Sequence, residues 1–406
     1  MVTEKQYEFN PMAPGMLADP YPMYRALREH APISWTALME AWVLTRYEDV
    51  DFALMDPCFS ANRRQARNRF AQMIKQQEEQ LGPFSRVQTM LSADPPEHTR
   101  LRRLVSKAFT PRAAENLRPR IQEIVDWLLD EVQKRGETDL VMDLAYPLPV
   151  IVISELLGVP PEDRDKFKHW SDTVVATLGG PFVAPDVFER GRLALEELAE
   201  YFSDIIAERR RAPKEDLISG LIAAEEQGQV LSEDEIFATA ILLLIAGNET
   251  TTHLISGGTL TLLRHPDQLE RLRAEPALIA SAVEELLRFN GPVQMTGRVV
   301  KENLEIAGQP VEEGLMVMCL LGAANHDPAK FPDPERLDVA RNPTDHLGFG
   351  DGIHFCLGAP LARAEAQTAI GTLVQRFPKL QLASDDIEWG GTFIIRGPKS
   401  LPLTVR

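Results

Sequence analysis

From Pro111 to about Arg288, apolar residues recur at helical spacing, as at Ile121, Ile124, Val125, Leu128 and Leu129. This predicts a largely helical body, broken where glycine and proline gather, as at Gly179-Gly180-Pro181. The residues before it mix short helical with short alternating stretches, Ala41 to Arg46 among them, and predict a small β-containing region over about 1–95. Alternating apolar positions between Asn303 and Leu320, punctuated by Gly308, Pro310 and Gly314, predict short hairpin strands. The longest helix should start at Ser232, where Ser232 and Glu235 form a capping box, and run to Arg264 just before His265-Pro266. At 1.5 Å per residue it would span roughly 50 Å. A shorter helix is expected from Ala277 to Phe289, and a last one from near Pro360 to just before Pro378. No composition shift marks a linker. The expectation is one mainly helical domain with small sheets (α+β) over 1–406, with its helical body at about 96–302 and a final region at 303–406.

Composition narrows the function. A chain of 406 residues with 44% hydrophobic content can bury a large core. Its net charge of −17 argues against nucleic-acid binding, which needs an excess of Lys and Arg over a surface. Cys58, Cys319 and Cys356 are too scattered for a disulfide framework or a structural zinc site, so a reducing cytoplasm is expected. Charges and prolines in MVTEKQYEFNPMAPG do not suit a signal peptide, and no apolar run reaches the ~18 residues of a membrane span.

The chemistry gathers first at Phe349-Gly-Asp-Gly-Ile-His-Phe-Cys-Leu-Gly-Ala-Pro360, where glycines surround one cysteine just before a helix. Pro360 suits the first helical turn, and the positive end of that helix would stabilise a thiolate at Cys356 and lower its pKa. Alone, the loop fits a small buried cysteine beside a glycine turn better than a metal ligand. It is not a dinucleotide fingerprint, since Ile353 or Phe355 stands where the third glycine would be.

A second segment is Ala246-Gly-Asn-Glu-Thr-Thr-Thr-His253, directly after the apolar run Ile241 to Ile245. Polar groups in a buried helix are costly unless bonded. Gly247 removes bulk and a threonine hydroxyl can compete for a backbone carbonyl, giving room for a small wet groove. Two helices meeting at Gly247-Asn248 fit the local pattern too, but Leu254, Ile255, Leu260 and Leu263 continue the apolar face and favour one. Glu285 and Arg288 at i, i+3 can pair on one helix face, and His98 and Arg102 at i, i+4 can together grip a carboxylate. Taken singly, each pair fits an ordinary solvated helix face better.

Taken together and in this order, the four segments resemble the cytochrome P450 family over nearly the whole chain. The resemblance implies a triangular-prism-like helical fold with the long helix over a haem. Phe349, Gly350, Gly352, His354, Cys356 and Gly358 match the haem-binding signature, which implies Cys356 as axial thiolate ligand of iron protoporphyrin IX (haem b). Ala246, Gly247, Glu249 and Thr250 match the oxygen-activation motif, with Thr250 orienting bound O₂ and Glu249 in proton delivery; Glu replaces the Asp of many members. Glu285 and Arg288 match a structural Glu-x-x-Arg pair whose third partner would lie within Asp333 to Arg341. His98, Arg102, Arg298 and His354 match positions that hold the haem propionates. The resemblance implies a substrate pocket built from Leu81, Phe84, Val87, Leu91, Leu243, Val293, Met295, Phe393 and Ile394.

A monomeric monooxygenase acting on a small apolar substrate is therefore implied, away from membranes and nucleic acid. No flavin or nicotinamide loop and no iron–sulfur cysteine set is present, so electrons from NAD(P)H would arrive through a ferredoxin reductase and a ferredoxin. Arg100, Arg103, Lys107 and Arg112 form a candidate basic docking patch. A peroxide-driven peroxygenase or a haem sensor would have less use for Glu249 and Thr250.

Overall fold

The computed structural model describes residues 7–80, 87–177, 183–226 and 228–406. The breaker at 179–181 lies outside them.

The capping box forms as the sequence predicts. Glu235 N–H donates to Ser232 Oγ at 3.2 Å and Ser232 N–H to Glu235 Oε2 at 2.8 Å, and one unbroken helix runs Glu233–Arg264. The two-helix alternative at Gly247-Asn248 therefore falls. This long helix is buried along most of its second half, where Ser256, Thr259 and Thr261 return their hydroxyls to carbonyls four residues earlier at 2.7–2.8 Å. These bonds make a polar helix tolerable in an apolar interior.

Around the long helix pack the helices Pro147–Leu157, Ile279–Asn290 and Ala359–Arg376 and the strand Arg396–Pro398. Gly258 sets how closely they approach. A Cβ there would lie 3.1 Å from Leu286 and 3.3 Å from Ile370, so a bare backbone lets two neighbouring helices close on the same turn. The final helix, Ala359–Arg376, carries Pro360 in its first turn and thereby fixes where the cysteine loop ends.

The main sheet has five strands in the order Ile33–Thr36, Ala41–Leu44, Met316–Cys319, Thr296–Val300 and Phe59–Ser60. Ala41–Leu44 pairs antiparallel with Ile33–Thr36 and parallel with Met316–Cys319, so strands from the first sixty residues share a sheet with strands from beyond 295. Of the stretch 303–320, Leu304–Ile306 and Gln309–Val311 form the expected hairpin, turning at Ala307 and Gly308 with φ of 46° and 88°. The segment after it joins the main sheet instead. Among the described residues, no helix is long and apolar enough to cross a membrane.

Candidate haem-thiolate site

The loop between Phe349 and Ala359 is shaped by backbone that only glycine adopts easily. Gly350 and Gly352 have φ of 70° and 67°, and a Cβ on Gly352 would sit 2.9 Å from the Leu54 carbonyl oxygen. Asp351 caps the following turn through Gly352 N–H at 2.6 Å. Cys356 then donates its N–H to the Phe349 carbonyl at 3.0 Å, which closes the loop.

Cys356 is accessible to solvent. Burial pushes its thiol pKa up, against the opposing pull of the Gly358 N–H, Arg102, the Ala359 N–H and Arg363. The lowered pKa expected from the helix start is thus corrected: the local field acts in the expected direction, but burial outweighs it. Coordination to a metal reverses that balance by stabilising the thiolate.

Four predicted cationic or imidazole groups converge beside the loop. His98 and Arg102 lie on the helix Glu97–Ala108, and Arg102 Nη2 donates to the Phe355 carbonyl at 2.6 Å. The His98 and His354 rings stand 4.4 Å apart, one bonded to the backbone of Ile353 and the other to that of Met90. The second nitrogens, His98 Nε2 and His354 Nδ1, are buried without a partner among the described residues. Burial and the neighbouring cations lower both histidines, His354 to about 4. Arg298 is buried and, among the described residues, donates to Thr296 Oγ1 and the Gly297 carbonyl, at 3.4 and 3.1 Å. Buried cations and orphaned nitrogens without a carboxylate partner are what a bound anion would satisfy.

On the long helix, Ala246 is exposed between half-buried Ile245 and Gly247, and a Cβ on Gly247 would meet nothing within 4 Å. The helix is open to space there. Thr250 Oγ1 donates to the Ala246 carbonyl at 2.7 Å, and Glu249 Oε1 lies 3.6 Å from His253 Nε2. The next turn is tied to the cysteine helix, because buried Glu365 bonds the Thr251 hydroxyl.

Glu285 and Arg288 pair in full burial at 2.7 and 2.9 Å. Their third partner is Arg341, whose Nε donates to Glu285 Oε1 at 3.1 Å. Of the pocket residues, the segments holding Val293 and Ile394 are brought together, since Val293 bridges Ile395 and Gln294 N–H donates to the Ile394 carbonyl at 2.8 Å. Met295 is buried in a cluster with Met316 and Met318, against which Phe393 and Ile394 pack. Leu243 is buried, Val87 half-buried and Leu91 exposed, while Leu81 and Phe84 lie outside the described residues. A surface groove lined by Leu272, Pro276 and Gly371 contains none of them.

The docking patch is smaller than expected. Arg100 is held by Glu97 and Glu235 and is mostly buried, so the exposed cations of that patch are Arg103, Lys107 and Arg112. Sequence reasoning also missed Glu284, His346 and Arg363, which brace the loop. Its one visible trace was the doublet Glu284-Glu285.

The donor set fits a haem: one sulfur with backbone N–H groups aimed at it, buried Arg298, half-buried Arg102 and two orphaned imidazole nitrogens for two carboxylates, and a helix face open at Gly247. The Cytochrome P450 family profile matches residues 34–388. The chain is 44% identical over 403 residues to cytochrome P450 CYP107DY1 of Priestia megaterium, covering 96% of this chain and 97% of that one. It is 42% identical over 398 residues to cytochrome P450 monooxygenase PikC of Streptomyces venezuelae, covering 96% and 92%. The solved structure of the Bacillus subtilis bacillaene polyketide synthase cytochrome P450 PksS superposes with a TM-score of 0.89 at 40% identity, over 98% of this chain and 99% of that one. With its fold, its cysteine loop and its relatives in agreement, the chain belongs to the cytochrome P450 family and is an oxidoreductase of the monooxygenase type.

Proposed function

We propose that this chain is a haem-thiolate monooxygenase that hydroxylates or epoxidises a small apolar molecule, with Cys356 as the iron ligand. NAD(P)H supplies the electrons through a ferredoxin reductase and a ferredoxin. The observation that carries the reading is the solvent-accessible Cys356 with its sulfur facing backbone N–H groups, and beside it Arg102, buried Arg298 and the orphaned nitrogens of His98 and His354.

When bound, iron protoporphyrin IX supplies reductive activation of O₂, one oxygen atom going to the substrate and the other to water. Cys356 holds it through the sulfur, while Gly358 and Ala359 N–H groups steady the negative charge. Arg102, Arg298, His98 and His354 take its carboxylates. Thr250 lies where the helix opens at Gly247, and breaking its bond to the Ala246 carbonyl turns its hydroxyl toward that space. Glu249 holds a proton at its carboxyl oxygen one residue away and passes it toward the Thr250 hydroxyl. Leu243, Val293, Met295, Phe393 and Ile394, with Val87 and Leu91, exclude water and select an apolar substrate. Arg103, Lys107 and Arg112 receive the acidic ferredoxin.

The test is spectroscopic. Reduced under carbon monoxide, the haem-loaded protein should show the red-shifted absorption of a thiolate-ligated iron, and Cys356→Ser should abolish it. A folded, haem-loaded parent that shows only the spectrum of a neutral ligand overturns the assignment. Ligands that convert the haem from low to high spin then identify the substrate class.

A further inference from the structure

Glu284 and Glu285 are neighbours on the helix Ile279–Asn290, so their side chains leave it about 100° apart. Glu285 meets Arg288 and Arg341. Glu284 meets a different set: Arg363 grips it with two bonds, Nε to Oε1 and Nη2 to Oε2, both 2.7 Å, and His346 Nε2 lies 3.1 Å from Oε2. His346 Nδ1 accepts the Gly348 N–H at 3.0 Å, so the imidazole proton sits on Nε2 and is donated to Glu284.

These two partners flank the cysteine, His346 before the loop and Arg363 after it. Arg363 also lies over the Phe349 ring, 4.6 Å from its centre, and the Phe349 carbonyl is the acceptor for the Cys356 N–H. One buried carboxylate therefore ties both ends of the loop to the body of the protein. Burial would raise Glu284, but its bonds to Arg363 and His346 outweigh it and hold the carboxyl at about 2. The Glu284 carboxylate is therefore ionised at neutral pH.

We propose that Glu284 is a positioning residue for the axial sulfur: by holding His346 and Arg363 it fixes the cysteine loop and keeps the Arg363 cation beside Cys356. The proposal rests on the reading of Cys356 as the iron ligand. A bidentate pair with arginine restrains both distance and orientation, which a single neutral hydrogen bond does not.

The test uses the haem-loaded protein and the apoprotein of the parent, Glu284→Gln, Glu284→Asp and Arg363→Lys. In Glu284→Gln the ferrous carbonyl should lose its thiolate spectrum about tenfold faster in mild urea, the rate equivalent of one charge-assisted bond. The iron midpoint potential should rise, because a negative charge near the sulfur is gone while Arg363 remains. Glu284→Asp keeps the charge with a shorter reach, so it should restore the potential but not the slow spectral loss. In the apoprotein, alkylation of Cys356, followed by peptide mapping, should be several-fold faster in Glu284→Gln. Arg363→Lys should change both rates in the same direction by less. Parental spectral-loss and alkylation rates in Glu284→Gln and Arg363→Lys overturn the clamp. A parent with no thiolate spectrum overturns the reading of Cys356 instead.

Discussion

The cysteine loop and the opening of the long helix satisfy their polar groups in opposite ways. Around the loop, Glu284, Glu285, Arg288, Arg341, His346 and Arg363 are joined by bonds of 2.7–3.1 Å, and Asn325 Oδ1 accepts the Leu347 N–H at 2.7 Å. On the long helix, Asn248 Oδ1, Thr252 Oγ1 and both nitrogens of His253 are buried with no hydrogen-bond partner among the described residues. Unbonded buried groups cost about 1–3 kcal/mol each. Apart from His98 Nε2 and His354 Nδ1, the groups bracing the loop are bonded, whereas the long helix keeps several buried groups with bonding capacity to spare. Under the proposed function the difference has a chemical sense, because a metal ligand needs one fixed position whereas oxygen, water and substrate must come and go.

The sharpest way to break this contrast is to remove Arg288. Arg288→Ala leaves Glu285 buried with its main partner gone and should cost about 3–5 kcal/mol, read as a lower urea midpoint. An unchanged midpoint would mean that the bracing is ornamental. Glu365 is the exception on the braced side, a buried carboxylate that no cation pairs among the described residues. Burial raises its pKa to about 8, against the Thr251 bond. Because the folded state holds this proton more tightly than the unfolded chain, stability is full below the ordinary carboxyl value of ~4.3 and falls as pH rises toward 8. Glu365→Gln should remove that slope and stabilise the protein at pH 9 by a few kcal/mol, and melting curves with equal pH slopes for both proteins count against it.

On the open side the effect should fall on chemistry instead of stability. Thr250→Ala loses only a hydroxyl bonded to its own helix, so unfolding should shift by less than about 1 kcal/mol. Product formed per electron should nevertheless drop several-fold, with hydrogen peroxide appearing in its place. Unchanged coupling with a turned-over substrate removes Thr250 from the mechanism. The smallest effect belongs to the surface: reversing Arg103 and Lys107 to Glu should slow ferredoxin-driven reduction a few-fold at low salt and leave substrate binding alone. Stopped-flow traces that match the parent at every salt concentration would place the docking face elsewhere.

What was legible in the sequence is what depends on near neighbours along the chain. The capping box at Ser232, the apolar run beyond Gly247, the glycines at 350 and 352 and the i, i+3 spacing of Glu285 and Arg288 act over a few residues, through backbone geometry that the residue types themselves set. The resemblance to a family rested on those same short segments. What the tertiary structure decided acts between distant parts of the chain. It chose Arg341 as the third partner of Glu285, set His98 against His354, joined Ala41–Leu44 to Met316–Cys319 and brought Arg363 to Glu284. It also reversed two expectations: Arg100 became an internal partner of Glu235, and burial raised the thiol of Cys356 where the helix end alone would lower it. Spacing along a chain fixes directions only within one element, whereas pairing between elements, and the dielectric around a charge, depend on everything packed nearby.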